Sequence, residues 1–417
     1  MSRTHYGTSY WLDRYPAARR PSYPKHKGAL QTDVAIVGGG AIGCVTAYVF
    51  AAAGIDVALF ESEQLAHRQA SSASGIVMHE PEPDFQRLAA QHGVRESRYI
   101  YQTARRGSLE YIAAIKRLRI ECGLQIRDGL HIATTSDGVQ RLQKEYLARR
   151  DAGLDVAALK GSALSKKLGA ANPLSPSVQN AFALITHDNA SLDPYRASLG
   201  FAKAAAARGA KIFERSPVTR IRPRRRSVDI TTAGGAVTAS KVVLATGYPT
   251  DDFKPLRRRF TKTRAYVVLT PELGAAMRRE MPPPELIIRD TAAPDHWLHW
   301  LGNRILFSGA DQAGVPDRLR DRTVVQRTGQ LMYELSVMRP PISGVMPEYA
   351  WDVEYSRTID GVPYFGPHRN YPHHLFAYGG GPGGLGLSFA AARILLRSYQ
   401  DMPEKSDEPF SFVRIRE

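Results

Sequence analysis

The chain has 417 residues, 43% of them hydrophobic and 23% charged, which gives about two domains and excludes wholesale disorder or a fibrous chain. With 56 Lys plus Arg against 40 Asp plus Glu the formal net charge is +16, which raises nucleic acid, anionic surfaces and acidic ligands as partners. Two cysteines, Cys44 and Cys122, exclude a disulfide framework and a clustered metal site.

In the first thirty residues Arg19 and Arg20 are followed by Pro21, Lys25, His26 and Lys27, where a signal peptide needs an apolar core. A soluble, cytoplasmic protein is expected. Asp33–Val37 is a short β-branched run, as in buried parallel strands. Gly38-Gly39-Gly40-Ala41-Ile42-Gly43 follows at once, then a helical stretch from Cys44 to Ala53 and a second strand, Val57–Phe60, ending in Glu61. The apolar run Val34–Phe60 imitates a membrane span, but Asp56 and the glycines at 38, 39, 40, 43 and 54 break it.

Strand, G-x-G-x-x-G, helix, strand and terminal acid in register predict a dinucleotide site. Gly38 permits the tight turn, Gly40 lets the backbone approach a pyrophosphate, and Gly43 lets the helix lie close to the strand. The N–H groups of Ala41 and Ile42, at the helix start, face the phosphates. Glu61, 23 residues after Gly38, is placed to accept from the ribose hydroxyls and repels a 2′-phosphate, against NADP. FAD and NAD both remain open from this unit alone.

Ser62 follows the acid, and Ala70–Val77, with Ser71, Ser72, Ser74 and Gly75, suits a loop wrapped around a cofactor. Leu192-Asp193-Pro194-Tyr195 starts a helix running to Arg208. Strands are expected at Gly209–Glu214, at Pro217–Ile221 with its Val218, and at Lys241–Gly247, after a hairpin through Gly234-Gly235. The basic runs Arg220–Arg226 and Arg257–Arg259 lack the interleaved aromatics or motif of a nucleic-acid reader, so none is expected as a partner. Strand-like runs follow at Arg264–Leu269, Glu285–Ile288, Trp297–Trp300 and Arg304–Phe307. His373-His374 reads as a loop without a metal role. Leu375–Tyr378 enters Gly379-Gly-Gly-Pro-Gly-Gly-Leu-Gly386, with a helix from about Ser388 to Tyr399.

Four landmarks in order carry a resemblance: Gly38–Glu61, Asp193-Pro194, Val218 leading to Ala245-Thr246-Gly247, and Thr358-x-Asp360-x-x-Pro363-x-x-Gly366. The chain resembles the FAD-dependent D-amino-acid oxidase, glycine oxidase and sarcosine oxidase family over nearly its whole length. The resemblance implies an α/β fold with a discontinuous Rossmann-type FAD domain (1–90, 165–250 and 345–417). It also implies a helical substrate-side segment (91–164) and an antiparallel-sheet substrate domain (251–344). Val218 would bracket the adenine, Ala245–Gly247 lie near the diphosphate, and Gly380, Gly381, Gly383, Gly384, Leu385 and Gly386 pass the flavin's pyrimidine edge.

The reaction so implied is oxidation of a C–N bond of a small amine or amino acid: hydride passes to flavin N5 and water hydrolyses the imine. Two departures bear on the substrate. Tyr355 stands where glycine-oxidase-like members carry a carboxylate-binding arginine, and Gly386 stands near the position of a lysine in sarcosine-oxidase-like ones. Arg264, Arg289 and Arg357 are the replacement cations, or the substrate is an amine, as in the γ-glutamylputrescine oxidase-like branch. Tyr266, His299 and Arg357 are the substrate-pocket candidates, with Trp300 beside them; His299 reads first as a half-buried sheet residue and only second as a ligand-facing one. Only 13 residues are lysine and none lies between Lys262 and Lys405. A dehydrogenase using an electron carrier in place of oxygen therefore stands beside an oxidase. A silent FAD-binding subunit docking an acidic partner stands as the third reading. No cysteine follows Cys122 and no histidine lies within Ser71–Gly75, so non-covalent FAD is expected.

Overall fold

The computed structural model of the chain describes residues 4–133, 135–169 and 181–414. Its first sheet has eight strands. Six follow in the order Tyr364–His368, Tyr371–Tyr378, Gly235–Gly247, Gly28–Val37, Val57–Phe60 and Lys211–Phe213, and the hairpin strands Val218–Pro223 and Val228–Thr232 extend from Gly235–Gly247. The middle of this sheet is parallel, from Tyr371–Tyr378 across to Lys211–Phe213. Parallel neighbours need crossovers that cover the faces, which is why Val34, Ala35, Ile36 and Val57–Phe60 are unbroken apolar runs and almost fully buried. Helices Ala41–Ala52, Pro194–Ala206 and Gly384–Tyr399 meet on one face, where Phe201 contacts Tyr48 and Phe389 with ring centroids 5.7 Å apart. The Asp193 carboxylate caps the second of these helices by accepting from Arg196 N–H at 3.0 Å, with Pro194 in the first turn.

The second sheet has ten strands. In order they are His5–Tyr6, Tyr349–Thr358, Phe260–Leu269, Arg304–Ala313, Trp297–Leu301, Leu286–Asp290, Gln125–Ile132, Phe182–Ser191 and Ile76–Val77, with Ala157–Lys160 beside Phe182–Ser191. Seven of its nine pairings are antiparallel. Helix Arg320–Met338 closes one face through Val324, Leu331 and Leu335, packed in one cluster with Tyr266, Val268 and Phe307. The architecture is the expected one, a Rossmann-type domain with an antiparallel-sheet domain beside it.

The sheets do not partition at the expected boundaries. Ile76–Val77 (within 1–90), Phe182–Ser191 (within 165–250) and Tyr349–Thr358 (within 345–417) all join the ten-stranded sheet. Residues 170–180, inside the expected 165–250 part, lie outside the described residues. The 91–164 segment is not only helical: Gln125–Ile132 and Ala157–Lys160 are strands. His373 and His374 lie within the strand Tyr371–Tyr378, whose pattern Pro372 obscures. Among the described residues no helix is long and apolar enough to cross a membrane.

Candidate active site

One cavity of about 550 Å³ runs between the two sheets, from Val218 past Glu61 and both glycine-rich turns to the face of the ten-stranded sheet. At its nucleotide end, Gly38 has φ +107°, and a Cβ there would lie 2.6 Å from the Ala245 carbonyl oxygen. Gly43 does not face the cavity: its missing Cβ would sit 1.9 Å from the Gly38 carbonyl oxygen, so it lets helix Ala41–Ala52 lie against the turn. Gly40 is the N-cap of that helix and supplies no side-chain acceptor, and a Cβ on it would meet nothing within 4 Å. The first N–H groups of the helix therefore open toward the cavity that Gly40, Ala41 and Ile42 line.

Glu61 turns its carboxylate back on the turn. Oε2 accepts from Gly39 N–H at 2.7 Å, and Oε1 accepts from Glu63 N–H and the Ser62 hydroxyl, each at 2.9 Å. Ser62, Val218, Ala245, Thr246 and Gly247 line the same end. The second glycine-rich turn supplies Gly380, Gly381, Gly383, Gly384 and Leu385, and Gly383 caps helix Gly384–Tyr399 without a side-chain bond. Two helix starts thus point uncapped into one space.

The far wall is part apolar and part ionic. Ile76, Met78, Ala265, Val267, Trp297 and Val353 line it beside Glu82, Asp295, Asp311, Arg289, Tyr355 and Arg357. Arg357 bridges two acids, ion-pairing with Glu82 and reaching Asp311 at 2.8 Å, and it lies over the Tyr355 ring at 5.1 Å. The Tyr355 hydroxyl donates to the same Asp311 carboxylate. Arg289 donates to Asp295 at 2.5 Å and stacks over Trp297 at 5.2 Å. Burial, more than any other cause, raises Glu82 and Asp311 above the usual carboxylate range, although Arg357 opposes it at both.

Several residues expected in the site lie elsewhere. Tyr266 points to the other face of its strand, into the cluster under helix Arg320–Met338, because side chains alternate and Ala265 and Val267 take the cavity side. His299 is 1% exposed, its ring nitrogens lying 3.0 Å from the Ser74 carbonyl oxygen and 3.1 Å from that of Trp300, one of which accepts its single N–H, and burial lowers it to about 4. Trp300 is core, its indole N–H donating to Pro282. Arg264 does not reach the cavity: it is 6% exposed and bound to Asp352 at 2.6 Å, Glu354 at 2.9 Å and Asp317. Ser71 and Ser72 sit in a helical turn, their hydroxyls donating to the carbonyls of His67 and Arg68, as short polar side chains do. Gly75 and Gly386 are packing glycines: a Cβ would lie 2.3 Å from the Leu192 carbonyl oxygen at the first and 2.6 Å from Ser108 Oγ at the second. Asp360 holds Arg414 at 2.7 Å, a tie for the chain's last described turn.

Glu82, Asp295, Trp297 and Asp311 were not foreseen. The alternation Glu80-Pro81-Glu82-Pro83-Asp84 was the available signal for the first, a rigid acidic strap between two elements. Asp311 lies on a strand that runs to Ala313, beyond the end expected at Phe307.

A glycine-built strand–turn–helix of the dinucleotide-binding kind thus faces a largely antiparallel sheet across one cavity, the architecture of a nucleotide-cofactor oxidoreductase. The sequence profile described as "FAD dependent oxidoreductase" (DAO) matches residues 33–397, and the chain belongs to that family, with FAD as its cofactor. The chain is 25% identical over 384 residues to gamma-glutamylputrescine oxidoreductase of Escherichia coli (strain K12), covering 91% of this chain and 86% of the relative. It is 26% identical over 392 residues to glycine oxidase of Geobacillus kaustophilus (strain HTA426), covering 92% and 97%. The crystal structure of glycine oxidase from Geobacillus kaustophilus shares the fold with TM-score 0.72 at 22% identity, over 93% of this chain and all of that one.

Proposed function

We propose that this protein oxidises a C–N bond of a small amine or amino acid, the product imine then being hydrolysed. The observation that carries this reading is the single continuous cavity joining the nucleotide cradle to a partly apolar, partly ionic wall. FAD, when bound, would supply the two-electron acceptor that oxidation of the C–N bond requires. The chain's own groups divide the remaining work. Gly38, Gly40 and the N–H groups of Ala41 and Ile42 would hold the diphosphate with Ala245–Gly247, Glu61 would hold the ribose, and Val218 would flank the adenine. The uncapped start of helix Gly384–Tyr399, with Gly380 and Gly381, would offer partial positive charge to negative charge on the flavin. Ile76, Met78, Ala265, Val267 and Trp297 exclude water from the substrate space.

The test is anaerobic mixing of holoenzyme with a panel of amines and amino acids while the visible flavin band is followed. Bleaching by at least one supports the reading. No bleaching across a broad panel refutes it and leaves the silent FAD-binding subunit. A second reading, transfer of electrons to a carrier instead of oxygen, is favoured by the cavity's cations: Arg68, Arg257, Arg289 and Arg357 all line it, and each is paired with a carboxylate. Rapid reoxidation of the reduced enzyme by air alone removes that second reading. FAD is held non-covalently, so acid precipitation leaves the flavin in the supernatant; flavin in the pellet overturns this.

A further inference from the structure

Three carboxylates, Glu82, Asp295 and Asp311, face two guanidiniums, Arg289 and Arg357, on the substrate wall. That imbalance favours a cation and disfavours an added carboxylate. The acids are not equivalent. Asp295 is occupied by Arg289, and Asp311 Oδ2 accepts from both the Tyr355 hydroxyl and Arg357. Glu82 approaches Arg357 through Oε1. Its Oε2 lies against the second glycine-rich turn, 3.2 Å from where a Cβ on Gly381 would be, and accepts no hydrogen bond among the described residues. Pro81 and Pro83 stiffen the strap on either side, the Pro83 carbonyl accepts from Tyr101 at 3.2 Å, and the Glu82 carbonyl accepts from Arg289 at 3.1 Å. The carboxylate is therefore held in place at the junction of the two sheets, with one oxygen open.

We propose that Glu82 and Asp311, with Arg357 between them, receive the substrate's ammonium group, and that Glu82 Oε2 accepts the proton the nitrogen must lose before its C–N bond is oxidised. An ammonium nitrogen has no lone pair to support loss of hydride from the adjacent carbon. In the step assigned to Glu82, an N–H bond breaks, its electron pair stays on nitrogen, and the proton forms an O–H bond at Oε2. Ammonium and carboxylate become neutral amine and neutral acid, and nothing is oxidised or reduced. The proposal rests on the amine reading above and gives it a substrate class: an alkylamine with no carboxylate on the carbon to be oxidised.

The surroundings suit the task. Arg357 and Tyr355 face Glu82 from strand Tyr349–Thr358, Asp311 from Arg304–Ala313, and Arg289 and Asp295 from Leu286–Asp290 and the loop after it. Glu80 and Asp84 flank it on its own strap. Burial and Asp295 raise its proton affinity while Arg357 and Arg289 lower it, and burial prevails. A carboxylate so placed takes a proton more readily than an exposed one.

The experiment uses FAD-loaded protein in anaerobic stopped flow with n-butylamine and with glycine, across pH, for the wild type and for E82Q, E82D and D311N. Flavin content and thermal midpoint are checked for each variant. Butylamine is expected to reduce the flavin faster than glycine. E82Q is expected to lower the limiting reduction rate at neutral pH by about 10²–10⁴-fold and to move the pH midpoint toward that of free butylamine. E82D restores part of the rate and of the midpoint. D311N raises the amine's apparent Kd about tenfold while the pH midpoint stays in place. Wild-type rate and midpoint in E82Q overturn the proton-acceptor role. Faster reduction by glycine overturns the substrate class. Both outcomes leave the amine-oxidation reading standing, whereas no reduction by any amine or amino acid removes that reading and this inference together.

Discussion

Gly43→Ala and Gly40→Ala separate a packing glycine from a cavity glycine within one six-residue turn. At Gly43 the new Cβ would lie 1.9 Å from the Gly38 carbonyl oxygen and 3.0 Å from its carbonyl carbon. Ordinary van der Waals separation requires helix and turn to part by about 1.5 Å. Gly38 cannot yield easily, because its N–H is bonded to the Phe60 carbonyl at 2.9 Å and Ala245 presses from the other side. Overpacking of this kind costs about 1–3 kcal/mol, and backbone against a Cβ belongs at the upper end. Alanine recovers about 1 kcal/mol of helix propensity, leaving a net loss of about 2 kcal/mol, or about 2 °C in thermal midpoint for a chain of this length. The first N–H groups move with the helix, so FAD affinity falls at least about tenfold. At Gly40 a Cβ meets no protein atom within 4 Å, so the apoprotein keeps its midpoint while FAD affinity still falls. Differential scanning fluorimetry of apoprotein, with FAD titration by flavin fluorescence, reads both. A Gly43→Ala protein with wild-type midpoint and FAD affinity would refute the reasoning.

Three further outcomes are expected. Glu61→Gln keeps one acceptor but turns an amide N–H₂ against an N–H now bonded to carboxylate. Bonds to charged groups contribute about 1.5–3 kcal/mol, so calorimetry should show FAD bound about 10–100-fold more weakly; unchanged affinity removes Glu61 from the site. Tyr266→Phe deletes a buried hydroxyl that has no partner among the described residues. Urea unfolding should then show stability unchanged or raised by up to about 1–2 kcal/mol with flavin reduction intact, and a large loss of reduction rate would return Tyr266 to the site. His299 is held near 4, below its ordinary 6.5, so as pH falls through that window the unfolded chain takes up a proton the folded chain refuses. Up to about 3 kcal/mol of stability is lost across it and little more below it. His299→Gln should flatten that slope in urea unfolding at graded pH, and a slope identical to the wild type contradicts the assignment.

The nucleotide end was legible because each of its constraints is local. Turn, helix, strand and acid occupy Gly38–Glu61 without interruption, and only this order satisfies them. The substrate wall was not legible for a corresponding reason. Ala265, Tyr266 and Val267 are all buried, so the strand is apolar on both faces and period-two alternation does not say which face meets the cavity. A large aromatic drew attention there, yet the smaller neighbours leave the space. Arg264 misled in the same way: its acids are Glu354, directly opposite on the next strand, Asp352 two positions along and Asp317 across a turn. Cross-strand register decides that partnership and leaves no trace in sequence spacing. Tyr355 in place of an arginine was visible, as was Arg357 two positions along as a pocket candidate, but not that Arg357 has its charge divided between two acids.

The order of the parallel strands has a consequence for how the chain must be made. Gly235–Gly247 pairs on one side with Gly28–Val37, synthesised long before it, while on the other its first half pairs with Val228–Thr232 and its buried second half, Val242–Gly247, with Tyr371–Tyr378, near the end of the chain. Until residue 378 leaves the ribosome, a buried apolar strand keeps an open row of backbone donors and acceptors, the arrangement most prone to pairing with another molecule. The glycine-rich turn and the helix that finish the cradle follow later still, at Gly379–Tyr399. A nascent chain of this protein thus has every strand of its ten-stranded sheet before it can close its eight-stranded one, and expression yield should depend on chaperone supply and early flavin more than on the stability of the finished fold.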